Sequence, residues 1–199
     1  MKFSALLLAI FWTATCTAAT LGPEVAIMQI KFPKEKQPRE VVIGLYDEST
    51  PATVANFKSL INQKFYNGLR FHRAFPGSLI QTGDPSSRWG QTDKIGTGGP
   101  GFTIPAEIRL KHNKGAIAMA RLPEKINPAK HSNGSQFYVC IEALPKLDGQ
   151  YTVFGTILAG LDVLDEISKS PTNSNDFPLP KITIKSIVLV PRTPAADPR

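Results

Sequence analysis

FHRAFPGSLIQTGD (Phe71–Asp84) and SNGSQFYVC (Ser132–Cys140) decide the reading of this chain. Each reads as a strand joined to a turn that contains glycine. Each also sets polar donors among apolar neighbours: Arg73 and Gln81 in the first run, Gln136 in the second. A planar cation and two amides beside aromatic side chains suit a ligand that is apolar at one end and offers a peptide carbonyl at the other.

Working outward, Glu24–Phe32 and Glu40–Tyr46 alternate and form a hairpin across a Pro-rich turn. Thr50 followed by Pro51 marks a helix start, and Val54, Phe57, Leu60 and Ile61 then recur on one helical face. Pro76–Pro105 is rich in Gly, Pro and polar residues and reads as a long ordered surface loop. Its centre, GTGGPG (Gly96–Gly101), lacks the following helix that a phosphate-cradling loop needs. Strands are predicted over Gly115–Arg121, Ser135–Ile141, Tyr151–Ile157 and Lys181–Val190, with a second short helix over Gly160–Ile167. Many strands, two helices and no βαβ alternation define an all-β dominated, antiparallel chain. Periodicity leaves barrel and sandwich both open.

Residues 1–19 read as a secretory signal to be cleaved: Lys2, an apolar run from Phe3 to Trp12, then Thr17-Ala18-Ala19 as a small-x-small site. The apolar run is too short to span a bilayer. Cleavage before Cys16 with lipid attachment ranks second, because Thr13-Ala14-Thr15 matches a lipobox poorly. The product is expected outside the cytoplasm, periplasmic or secreted. Residues 20–190 make one domain and 191–199 a frayed tail. Cys140 is then the single thiol, placed in an apolar run where an inert, buried group is expected. The formal net charge is +7, with Lys and Arg scattered rather than striped among aromatics. Nucleic-acid binding is therefore not expected.

The two opening runs closely resemble the signature of the cyclophilin family of peptidyl-prolyl cis-trans isomerases, and the Leu147-Asp148-Gly149 run adds a third match. The similarity extends from about Val25 to Val190. It implies a closed eight-stranded antiparallel β-barrel capped by two α-helices, acting on proline-containing polypeptides. A monomer is the default expectation, and rotation about a peptide bond requires neither metal nor cofactor. Residue by residue, Arg73 matches the catalytic Arg, and Gln81 the Gln that holds the substrate backbone and steadies that Arg. Ala120 and Gln136 match backbone- and amide-binding positions. Leu79, Tyr138, Leu147 and Tyr151 match the wall of the proline pocket. Tyr151 is similar to bacterial members of the family, so an exported, bacterial-like isomerase is expected.

The chemistry suits such residues. Rotation about a peptide bond faces about 18–20 kcal/mol because the bond is conjugated. In the twisted state the proline nitrogen regains its lone pair, so a fixed donor aimed at it favours the transition state alone. Arg73, always charged and multidentate, fits that role. Several positions depart from the family pattern: Ser78 replaces a pocket Phe, Arg121 an Asn, and Leu122–His131 is a longer segment. Lys146 stands where a Trp helps hold cyclosporin, so weak drug binding is expected. Ser78 and the longer segment also leave open a proline-peptide binding module without catalysis. A Ser135–His72–Asp84 triad is disfavoured, since no Gly-x-Ser-x-Gly elbow surrounds Ser135. His112 and His131 fall in polar stretches without metal-ligand spacing. Phe71, Phe75, Phe137 and Phe154 are assigned to the core.

Overall fold

Period-two alternation builds this molecule. In the computed structural model, residues 19–89 and 94–193 are described. The expected leader lies outside them apart from Ala19, as do residues 194–199 of the expected tail. Strands β1 (Glu24–Lys31) and β2 (Arg39–Leu45) form the expected hairpin and lead into helix α1 (Pro51–Asn62). β3 (Arg73–Phe75) and β4 (Leu79–Thr82) follow, then the short β5 (Thr103–Ile104), β6 (Ala116–Met119) and β7 (Ser132–Asn133). β8 (Phe137–Cys140), β9 (Val153–Ala159), helix α2 (Leu161–Ser168) and β10 (Thr183–Pro191) complete the chain.

Eight strands form one antiparallel sheet in the order β10-β1-β2-β9-β6-β8-β4-β3, while β5 and β7 pair separately. The sheet curls but is open, which corrects the closed barrel expected from the sequence. No ladder joins β3 to β10. Across that gap, residues just before β3 meet the start of β10: Gly68 N donates to Ile184 O (2.7 Å) and Ile184 N to Leu69 O (2.8 Å). The loop expected over 76–105 is corrected as well, because β4 lies inside it, paired with both β3 and β8. β10 runs to Pro191, and Arg192 N donates to Pro23 O (2.8 Å), so the expected tail begins as ordered sheet edge.

One face of the curled sheet encloses an aromatic core. Phe57 of α1 packs edge-on against Phe137 (5.6 Å between ring centroids) and Phe154 (5.1 Å), with Tyr66 at 5.4 Å. The face of α1 read from the sequence, Val54, Phe57, Leu60 and Ile61, is the buried one. Removing a ring as central as Phe57 would cost about 3–5 kcal/mol. The opposite face of β6, β8 and β9 holds a second, smaller cluster: Ala116, Ala118, Tyr138, Cys140 and Val153. Adjacent residues thus serve different layers, Phe137 the core and Tyr138 the outer face. Leu79, Leu110, Leu144, Leu147 and Tyr151 pack over it.

The start of α1 is not capped as expected. Thr50 Oγ1 turns back to donate to Tyr46 O (3.2 Å). Glu107 satisfies the helix end instead, accepting from Ala52 N (3.2 Å), Thr53 N (2.9 Å) and Thr53 Oγ1 (2.8 Å). A carboxylate there also complements the positive end of the helix dipole. Glu107→Ala is expected to lower unfolding free energy by about 1–2 kcal/mol, as loss of an N-cap does. Glu107→Gln keeps one acceptor oxygen and should lose less. Urea denaturation of both variants beside the parent protein measures this order.

Candidate active site

β3 and β4 run antiparallel with Arg73 opposite Gln81 and Phe75 opposite Leu79. Alternation sends Ala74 and Ile80 inward to the core and leaves those four facing outward. β8 continues this surface through Tyr138, and the short 3₁₀ turn Pro145–Leu147 closes it with Leu147. The result is a groove of about 470 Å³. Arg73, Leu79, Gln81, Ala120, Gln136, Tyr138, Leu147 and Tyr151, every site residue expected from the sequence, lie along it. Phe75, assigned above to the core, lines it too, as do Thr97, Leu122 and Asn133. Phe71, Phe137 and Phe154 are buried in the core.

Arg73 is exposed, and among the described residues its guanidinium makes no hydrogen bond or ion pair. It is steadied by the Phe75 ring, with Cζ 5.1 Å from the centroid, rather than by Gln81 as expected. Gln136 also differs from expectation. It is 2% exposed, so it is not a free donor. Its Nε2 donates to Gly98 O (2.7 Å) and Gly96 O (3.1 Å), which fixes the amide orientation and turns Oε1 toward Gln81. Gln81 Nε2 donates to that oxygen (2.8 Å). Gln81 Oε1 is thereby left as an acceptor facing the groove. Both backbone groups of Ala120 are engaged, N with Gln136 O (2.9 Å) and O with Asn133 N (2.7 Å).

Behind this row lies Asp84, fully buried, which accepts from Ser86 N (2.7 Å), Gly96 N and Gly98 N (3.1 Å). Gly83 has φ +90°, and a Cβ there would lie 2.2 Å from Ser135 O, so only glycine permits this crossing. The triad considered from the sequence is not assembled. Ser135 Oγ donates to Gly83 O (2.7 Å), and neither ring nitrogen of the buried His72 has a hydrogen-bond partner. Gln136 and the Arg70 backbone lie near that ring without a bond of normal geometry.

The altered positions have definite structural roles. The Arg121 side chain is 7% exposed; its Nε donates to Gln150 O (2.8 Å) and its Cζ lies 4.8 Å from the centre of the Tyr151 ring. Tyr151 stands edge-on to Tyr138 (5.7 Å, 88°). Ser78 takes no part in the groove; its carbonyl accepts from Ile141 N (2.7 Å). Lys146 is exposed on the 3₁₀ turn. His112, read as a loop residue, is buried and bonded to Asp148 and Tyr138. Burial pushes the Cys140 thiol up to about 12, consistent with an inert side chain.

An open, antiparallel sheet with two helices thus carries an outward groove in which apolar side chains stand beside amides and the unpaired Arg73 guanidinium, a surface suited to a peptide. Residues 28–189 match the family model for cyclophilin type peptidyl-prolyl cis-trans isomerases. The chain belongs to that family, whose members interconvert the isomers of the bond before proline. It is 39% identical over 154 residues to peptidyl-prolyl cis-trans isomerase-like 3 of Gallus gallus, covering 75% of this chain and 89% of that one. Peptidyl-prolyl cis-trans isomerase B of Bacillus subtilis is 42% identical over 132 residues, covering 65% and 83%. Relatives of similar identity thus come from animals and bacteria alike. Among solved structures, a Cryptosporidium parvum cyclophilin type isomerase determined in the presence of the dipeptide Ala-Pro aligns with a TM-score of 0.72 at 27% identity. The alignment covers 84% of this chain and 99% of that one.

Burial lowers the pKa of His72 to about 4, with the Arg73 charge acting in the same direction and Asp84 against it. The unfolded chain takes up this proton near pH 6.5, whereas the folded chain resists until about pH 4. The stabilisation is therefore full above about pH 6.5 and falls by about 1.4 kcal/mol per pH unit between those values. Urea midpoints at pH 7.5 and pH 5 should differ more for the parent protein than for His72→Phe. An equal drop in both would assign the acid sensitivity to another group.

Proposed function

We propose that the groove accelerates rotation about X-Pro bonds by offering Arg73 to the twisted prolyl amide. The observation that carries this reading is an unpaired guanidinium, held over Phe75, at the rim of an apolar wall made by Leu79, Tyr138, Leu147 and Tyr151. The wall suits a pyrrolidine ring, whose burial requires no polar partner. Gln81 Oε1 is placed to accept from a substrate N–H, while Gln136 acts through Gln81 rather than on the substrate. An Arg without an acidic partner retains its full donor capacity for the nitrogen lone pair. A fixed donor aimed at developing charge contributes about 2.7–4 kcal/mol, or roughly 10²–10³ in rate. No nucleophile is required, because no covalent bond is made or broken.

Supporting the wider assignment, the leader-like residues 1–19 point to substrates outside the cytoplasm, and faster prolyl isomerisation there would assist protein folding. The enzyme is assigned as a monomer in the periplasm or secreted, with lipid attachment at Cys16 as the lesser route. Lys146, exposed beside the Leu147 wall, is expected to make cyclosporin binding weak.

Arg73→Ala should reduce kcat/KM about 10²–10³-fold in cis-to-trans relaxation of an Ala-Pro peptide, with the circular dichroism spectrum unchanged. Equal rates for parent and variant would remove Arg73 from the mechanism. Peptide binding without any acceleration by the parent protein would leave a binding module. Expressed from its full sequence in a bacterial host, the exported protein should begin at Thr20 by N-terminal sequencing. Recovery of exported protein with Met1 intact would contradict the leader, and an acylated Cys16 terminus would establish the lipid route.

A further inference from the structure

We propose that His112 is the positioning residue of the proline pocket, locking the Tyr138 ring and the Leu147–Asp148 turn into one rigid wall. This rests on the reading of the groove as the proline site. His112 is 1% exposed, and each of its polar groups is engaged. Its backbone N and its Nδ1 both meet Asp148 Oδ1 (2.8 and 2.9 Å). Its Nε2 meets the Tyr138 hydroxyl (2.9 Å), and its carbonyl accepts from Leu144 N (2.8 Å). The Tyr151 ring also stands edge-on to His112 (6.2 Å, 86°). One side chain therefore contacts β8, the 144–148 turn and Tyr151, three separate parts of the chain that line or back the same wall.

The donor directions follow from the chemistry. An ionised Asp148 only accepts, and its pKa is held below the usual range chiefly by the His112 backbone N–H. Nδ1 therefore carries the hydrogen, and Nε2 accepts from the Tyr138 O–H. The hydroxyl points to the interior, so the groove receives the apolar part of the ring. A buried hydroxyl without a partner is costly, which ties the ring to this orientation. The wall contacts a proline ring alike in its planar and twisted amide states. Loosening it should weaken binding of both states and raise KM, whereas loss of Arg73 acts on the transition state.

The test is kcat and KM for an Ala-Pro peptide, measured on the full chain and its variants. Tyr138→Phe removes only the hydroxyl and should raise KM about three- to tenfold with kcat within about twofold. His112→Leu should raise KM at least as much, and adding Tyr138→Phe should then cost little more, because both remove the same bond. Asp148→Ala should raise KM, while Asp148→Asn, which retains the acceptor oxygen, should stay within about twofold of the parent. A folded Tyr138→Phe with the parent KM overturns the proposal, as do multiplicative effects in the double variant. If His112→Leu fails to fold, Tyr138→Phe and the Asp148 pair decide it. If the parent binds the peptide without accelerating it, the same shifts read in Kd support the wall and only the catalytic reading falls. A parent that neither binds nor accelerates overturns both.

Discussion

Strand β8 is buried on both faces, and the rest of the structure depends on that constraint. Phe137 and Val139 point into the aromatic core, while Tyr138 and Cys140 point to the outer cluster beneath the groove. Because side chains alternate strictly, slipping β8 by one residue would place a phenol in the core and a phenyl on the wall. Its register with β4 and β6 therefore sets core packing and groove shape together. Fold stability and function are coupled here through one short strand.

At the entry to β8 the constraint becomes polar. Gln136 and Asp84 are buried, and they survive there because their hydrogen-bonding groups meet backbone amides and carbonyls of Gly96 and Gly98. Asn133 adds to the same junction, accepting from Ser135 N and Gln136 N (2.9 Å each) while donating to Gly98 O (3.0 Å). A glycine-rich segment with little intrinsic order is thus held by side chains from other parts of the chain. The groove gains a rigid edge, and Gln81 a defined orientation, from this buried network.

The opposite side of the groove is held differently. Arg121 packs its guanidinium over Tyr151 and anchors it to Gln150, in place of a family Asn. His112 joins Tyr138 to the Asp148 turn. Both devices stiffen aromatic rings through their polar neighbours: His112 acts from beneath the wall, whereas Arg121 lines the groove itself. Ser78, which looks a severe departure in the sequence, does not enter the groove, whereas Arg121 and Leu122 do.

Local pattern determined a good deal. The buried face of α1, the hairpin β1–β2 and the final strand were legible in the amino-acid order, because alternation and helical spacing act over a few residues. The expected groove residues came instead from the family resemblance, which left out Phe75, Thr97, Leu122 and Asn133. The short β4 was obscured by the glycines and prolines around it, and its strand character comes from pairing with β3 and β8. Only the tertiary structure decided that the sheet stays open, that Glu107 caps α1, that Gln136 is a buried anchor, and that His112 is a buried hub. Each of those outcomes rests on partners far apart in the chain, and a hydrogen bond between distant residues leaves no local spacing to read.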